Sequence, residues 1–247
     1  MTFTWRIAVL AVTFTLVSCA GDDNSAAAQR ILALRDSAPS ADREWRSYLG
    51  DVASNQSSPL TQINPDNVQD LQVAWRYDPQ DADEHVTLIS TNPLVVKGVM
   101  YGLSARKNLF ALDAATGEEL WVYPFDQPYG GKGSGRGLVY WEGQLDTQEN
   151  AAWILVGLGH ELYAVDAITG ELAREFGDEG VVDLRVGLDR PVDGLLVNVI
   201  APGTLYEDLL IQGFGTSEFY DAAPGYIRAY HIPSGELRWT FRTIPAE

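Results

Sequence analysis

The sequence is poor in metal ligands, in cations and in long apolar runs. Its 247 residues include one cysteine, three histidines and 17 Lys and Arg against 34 Asp and Glu, a formal net charge of -17. One cysteine excludes an intrachain disulfide framework. Together with three scattered histidines it leaves no Cys/His zinc site. A surface this acidic repels phosphate backbones and so excludes nucleic acid as a partner. Its ordinary consequence is solubility. The apolar stretch from Ile7 to Val17 is too short to cross a bilayer. What is plentiful is core and turn material: 46% hydrophobic residues, 11% aromatic, 23 Gly and 12 Pro. That balance fits one large domain of many short strands.

The lone cysteine stands where it is informative. Arg6 precedes the apolar stretch, which ends in Leu16-Val17-Ser18-Cys19. A short apolar core with a small residue before the cut is an export signal. Leu-Val-Ser-Cys resembles the bacterial lipobox, whose cysteine becomes the lipidated first residue of the mature chain. The alternative is an ordinary signal cut after Ala20. Residues 1–19 are therefore expected to be a lipoprotein signal peptide with Cys19 lipidated. Residues 20–43, rich in Ala, Asp and Ser, read as a flexible tether. The folded part is then exported, lipid-anchored and facing the periplasm.

Residues 44–247 are organised as a repeat. Ala111-Leu-Asp-Ala-Ala-Thr-Gly-Glu-Glu-Leu-Trp121 aligns without gaps with Ala164–Arg174 and with Ala229–Trp239. An aromatic follows each two positions later: Tyr123, Phe176 and Phe241. Asp113 to Asp166 is 53 residues, and Asp166 to His231 is 65. Periods of this size mark propeller blades of four short strands. Each turn follows an alternating apolar strand, its Asp can accept from the backbone amides of its own turn, and its Gly can take a positive φ. Blade one is expected over Pro93–Val96, Val99–Leu103, Asn108–Asp113 and Glu119–Phe125, with a hairpin at Lys97-Gly98. Blade two is expected over Gly137–Trp141, Ala152–Gly157, Glu161–Asp166 and Leu172–Phe176. Blade three is expected over Val197–Ala201, Leu209–Phe214, Tyr226–His231 and Glu236–Phe241. The fold class is all-β: a β-propeller with about three of eight blades present. Val73–Tyr77 reads as a clasp strand whose partner blade is not in this sequence. Propellers close with roughly four to eight blades, so the chain reads as incomplete. A three-bladed half that dimerises is the alternative.

Ala111–Trp121 matches in full the tryptophan-docking motif of the pyrroloquinoline-quinone (PQQ) glucose and alcohol dehydrogenases. The second copy departs at Arg174, and the third at His231 and Ser234. Trp45–Gly50 with Ser58–Trp75 resembles the N-terminal segment of that family. Arg136-Gly-Leu-Val-Tyr-Trp141 is similar to its Arg-Gly-Val/Leu-x-Tyr-Trp strand, and Gly213–Glu218 to its Ser-Gly-Ala-Glu segment. Ala223–Tyr230 and Leu237–Pro245 look like the glucose-dehydrogenase branch. The resemblance covers 43–247. It implies oxidation of a sugar or alcohol hydroxyl with PQQ and calcium, the electrons passing to a membrane quinone or cytochrome.

By the same resemblance Arg136 bonds the quinone oxygens, for which a guanidinium fork is suited. The alternative is a surface arginine paired with Glu142. Gly215, Thr216 and Ser217 are expected to hold the cofactor carboxylates. Glu218 is expected to ligate calcium, which takes hard oxygen ligands. Asn92 is expected near the cofactor. Ser90 stands where relatives often have Glu, and Val199-Ile200 where they have Ser or Thr, so cofactor binding could be altered. No adjacent-cysteine pair is present. The general base is expected on a later blade, so this chain supplies supporting residues and is expected to be inactive alone. His85, His160 and His231 read as structural. The competing function is a non-catalytic outer-membrane lipoprotein propeller serving as an assembly or binding scaffold. Arg136 and Glu218 argue against it, since a pure scaffold has no need of either.

Overall fold

The computed structural model describes residues 20–38, 44–125, 135–191 and 193–244. Three four-stranded antiparallel sheets make up most of it. The first contains β1 (Leu94–Val96), β2 (Val99–Leu103), β3 (Leu109–Asp113) and β4 (Glu119–Tyr123), in that order. The β1–β2 hairpin turns at Lys97 (φ 50) and Gly98 (φ 78). Two positive φ values make the tight turn whose twist matches its strands. The second sheet contains β5 (Val139–Gly143), β6 (Ala151–Leu158), β7 (Glu161–Asp166) and β8 (Val181–Asp183). Next in the chain come β9 (Val197–Asn198), β10 (Thr204–Tyr206), β11 (Leu209–Gln212), β12 (Gly215–Thr216), β13 (Ile227–His231) and β14 (Leu237–Phe241). Of these, β10, β11, β13 and β14 form the third sheet, and β9 pairs with β12 in a short ribbon. The three sheets are the three blades, and among the described residues they do not close into a ring.

The repeated turn works as its residues suggest. Asp113 Oδ1 accepts from Ala115 N–H at 3.0 Å, and Asp166 Oδ1 accepts from Ile168 and Thr169 at 2.9 and 2.8 Å. In the third copy His231 Nδ1 lies 2.8 Å from Ser234 Oγ, so an imidazole–hydroxyl contact stands where the carboxylate does in the other two. The turn glycines have a second use. A Cβ on Gly170 (φ +73) would sit 2.7 Å from the ring of Trp121, and one on Gly117 (φ +75) 2.5 Å from Trp75. Each tryptophan thus lies flat on the next blade's turn. Trp75 belongs to the clasp segment, which pairs with no strand among the described residues.

Three expectations need correction. The fourth strand of blade two is not Leu172–Phe176. Leu172 makes only a bridge to Val165, the chain then loops out, and β8 resumes against β7 at Val181. Phe176 is wholly buried, and Gly177 N–H donates to Ser234 O of blade three at 3.0 Å. This loop occupies the blade junction, at the repeat where Arg174 stands in the tryptophan position. The inner strand of blade three is Thr204–Tyr206 rather than Val197–Ala201. Pro202 has no N–H to donate and ends the earlier run. Finally, Ala20–Asp36 is a helix, α1, where residues 20–43 read as a flexible tether. Ile31 has no exposed surface and packs among Leu94, Val96, Tyr101 and Trp121. Arg30 pairs with Asp113 at 2.7 Å, and Arg35 with Tyr140 Oη at 2.7 Å and Glu142 at 2.5 Å.

The signal peptide and Cys19 lie outside the described residues, as does most of the glycine-rich lead-in to Arg136. No helix among the described residues is long and apolar enough to cross a membrane.

Candidate functional site

The inner strand of each blade starts at one end of the molecule, and most of the candidate residues gather there. Asn92 precedes β1, Arg136 precedes β5, and Ile200 follows β9. Backbone bonds tie these starts together. Asn92 N–H donates to Arg136 O at 2.8 Å, and Arg136 N–H donates to Ile200 O at 3.4 Å. Asn92 Nδ2 reaches the same Arg136 carbonyl at 3.3 Å. Thr91 Oγ1 donates to Gly135 O at 2.7 Å, a link the sequence reading missed because it weighed Ser90 and Asn92 in that stretch and passed over the residue between them.

Gly215 and Thr216 join this end through β9. Gly215 lies opposite Asn198, and Thr216 opposite Val197. A Cβ on Gly215 would lie 2.9 Å from Ile200 Cδ1, so a side chain there would displace the residue whose carbonyl holds Arg136. Thr216 and Ser217 are partly buried, while Glu218 is exposed in the loop before β13. Asn92, Arg136, Gly215 and Thr216 are therefore brought into one connected neighbourhood. Ser217 follows directly, its carbonyl accepting from Thr216 Oγ1 at 3.4 Å, and Glu218 continues along the chain into the exposed loop.

The Arg136 guanidinium is exposed and has no ion pair among the described residues. Glu142, its alternative partner, is taken by other cations: Lys97 at 2.5 Å, Arg35 at 2.5 Å and Arg46 at 3.2 Å. Burial pushes the Glu142 carboxyl up, but the bond from Lys97 and the charges of Arg35 and Lys97 outweigh it and hold the group below its usual range. Glu142 sits at the far end of β5 from Arg136. Arg136 is thus left with its positive charge available to a ligand.

A recess of about 290 Å³ adjoins this neighbourhood, walled by Ile200–Thr204 and Ile211–Gly215. A larger one of about 540 Å³ lies beside Asn24, Trp121, Gly170 and Arg174 and includes none of the candidate residues. A free guanidinium, hydroxyls at Thr216 and Ser217, and a backbone kept bare at Gly215 suit an anionic, oxygen-rich planar cofactor. A calcium ion takes six to eight oxygens. No group of three or more His, Cys, Asp or Glu among the described residues could hold a metal. Glu218 could provide one ligand of such a set and not the whole of it.

Comparison with known proteins gives a consistent result. A family model described as the PQQ glucose/ethanol/alcohol dehydrogenase β-propeller domain matches residues 45–247. The quinoprotein glucose dehydrogenase of Escherichia coli (strain K12) is 30% identical over 220 residues, which is 82% of this chain and 27% of the relative. The dehydrogenase subunit of the quinone alcohol dehydrogenase of Gluconobacter oxydans (strain 621H) is 34% identical over 210 residues, 82% of this chain and 25% of the relative. Among solved structures, quinohemoprotein alcohol dehydrogenase from Comamonas testosteroni superposes with a TM-score of 0.67 at 26% identity, covering 92% of this chain and 32% of that one. The chain spans about a quarter to a third of the length of these relatives.

Proposed function

The chain belongs to the PQQ glucose/ethanol/alcohol dehydrogenase β-propeller family, and from that premise we propose that the whole protein oxidises a sugar or alcohol hydroxyl with PQQ and calcium. This chain would supply three blades and one wall of the cofactor site. The observation that carries the proposal is the guanidinium of Arg136, without an ion pair among the described residues and bound by its backbone into the same end as Asn92 and Gly215.

When bound, PQQ supplies an electrophilic quinone carbonyl that accepts the two electrons lost by the hydroxyl-bearing carbon. Arg136 would donate from its fork to the adjacent quinone oxygens and stabilise the negative charge that grows there. Thr216 and Ser217 would donate to the cofactor carboxylates. The bare backbone at Gly215 would let the ring approach, and Asn92 would fix the position of the Arg136 peptide. Glu218 would give calcium one hard oxygen ligand. Neither the general base nor the remaining calcium ligands are assigned to this chain. Glucose-type substrates and a quinone or cytochrome acceptor are the specific form of the proposal, as is export with a lipid at Cys19.

The test is reconstitution of the whole protein with PQQ and calcium, followed by dye reduction with a panel of sugars and alcohols. Substrate-dependent reduction that needs both additions is expected, with large losses in Arg136→Ala and Glu218→Ala. Unchanged turnover in both variants would overturn the site assignment. No turnover with any hydroxyl substrate would overturn the activity.

A further inference from the structure

Helix α1 and the candidate site lie at opposite ends of the blades. Asn92 and Arg136 precede β1 and β5, whereas α1 bonds where these strands finish. Leu34 packs on Gly98 in the β1–β2 hairpin, Arg35 bonds Glu142 near the end of β5, and Arg30 bonds Asp113 at the end of β3. From Arg136 to Glu142 is roughly 20 Å of extended chain. The helix approaches from the rim, where Asn24 lies beside Trp121 and Gly170, and runs inward to Tyr140. It begins at Ala20, the residue after Cys19. Only about 16 Å of helix separates Ala20 from Ile31, which is fixed in the core. Among the described residues the chain from Ala20 to Ile31 is continuous helix.

Taking the proposed lipid at Cys19 as given, we infer that the hairpin end of the propeller is held against the bilayer and the cofactor end opens toward the water. The start of α1, at the rim between blades one and two, is then the described part of the fold next to the lipid. The welded helix then sets the orientation of the blades, which a tether of Gly or Ser would leave free. Substrate and electron acceptor both reach the cofactor end from the aqueous side. A water-soluble redox carrier fits that geometry better than a quinone dissolved in the bilayer.

The test uses the whole lipidated protein in vesicles whose headgroups carry an energy-transfer acceptor. Cys19 is the one cysteine of this chain, so with cysteines outside the chain replaced by serine, an introduced thiol labels uniquely. One donor goes at Glu118→Cys in the β3–β4 turn. Another goes at Tyr220→Cys, which is 97% exposed in the loop at the cofactor end. Transfer is expected to be several-fold greater from position 118 than from 220, and a Gly/Ser insertion between residues 19 and 20 should shrink the difference. Equal or greater transfer from 220 on vesicle-bound protein would overturn the orientation while leaving the anchor in place. Failure of the wild type to bind vesicles, or binding that Cys19→Ser does not abolish, would sink the anchor and the orientation together.

Discussion

Glu142 shows how one side chain can tie several segments to a blade. It gathers Lys97, Arg35 and Arg46, joining α1, the β1–β2 hairpin and the N-terminal segment to blade two. It does so at the hairpin end, while Arg136, at the other end of β5, has no ion pair among the described residues. Its carboxyl is held below the usual range, so its contribution is present above the ordinary carboxylate pKa and is lost as pH falls through the lower folded value. Glu142→Gln should cost roughly 1–3 kcal/mol near neutral pH. The gap between variant and wild type should close below about pH 4. Denaturant unfolding across pH checks this, and a gap that widens on acidification would refute it. Arg228 is a further buried cation, serving a loop: its guanidinium donates to the carbonyls of Leu184 at 3.2 Å and Val186 at 2.8 Å, and also to that of Gly187.

At the scale of elements, the blades were legible because repetition and period agree. The repeated turn with its flanking apolar strand, in its His231-Ile-Pro-Ser-Gly form in blade three, located β3, β4, β7 and β13 closely. The misplaced strands lie where a local signal outvoted the ladder, at Pro202 and at buried Phe176. The helix was missed because Ala, Asp and Ser dominate its first turns, although Ile31 and Leu34 carry a helical spacing. Ile31→Ala should cost about 2–5 kcal/mol, read from the denaturation midpoint, since it opens a cavity in a fully buried site. A loss below 0.5 kcal/mol would show that the helix is not welded to the blades. Gly170→Ala should destabilise by at least about 1 kcal/mol, because it meets both a positive φ and the Trp121 ring. Neutral behaviour at Gly170 would contradict the flat seating of that tryptophan.

For the molecule as a whole, three blades leave an open face. On β14, Leu237, Trp239 and Phe241 are 42%, 41% and 59% exposed, an apolar row on a strand with no outer neighbour among the described residues. Edges of this kind invite pairing, which agrees with a chain that matches only part of each relative's length. The family was readable from motifs in combination, and the comparisons agree. The candidate neighbourhood was readable only in part, because Asn92, Arg136 and Gly215 are far apart in sequence and meet through backbone bonds that no motif encodes. The claim that this neighbourhood holds PQQ is tested most directly by titrating the whole apoprotein with PQQ in the presence of calcium, following the cofactor's absorbance in wild type and Arg136→Ala. Saturable binding, weakened about 10- to 100-fold in the variant, is the predicted result. Equal affinity in the two proteins, or no saturable binding in either, would contradict it.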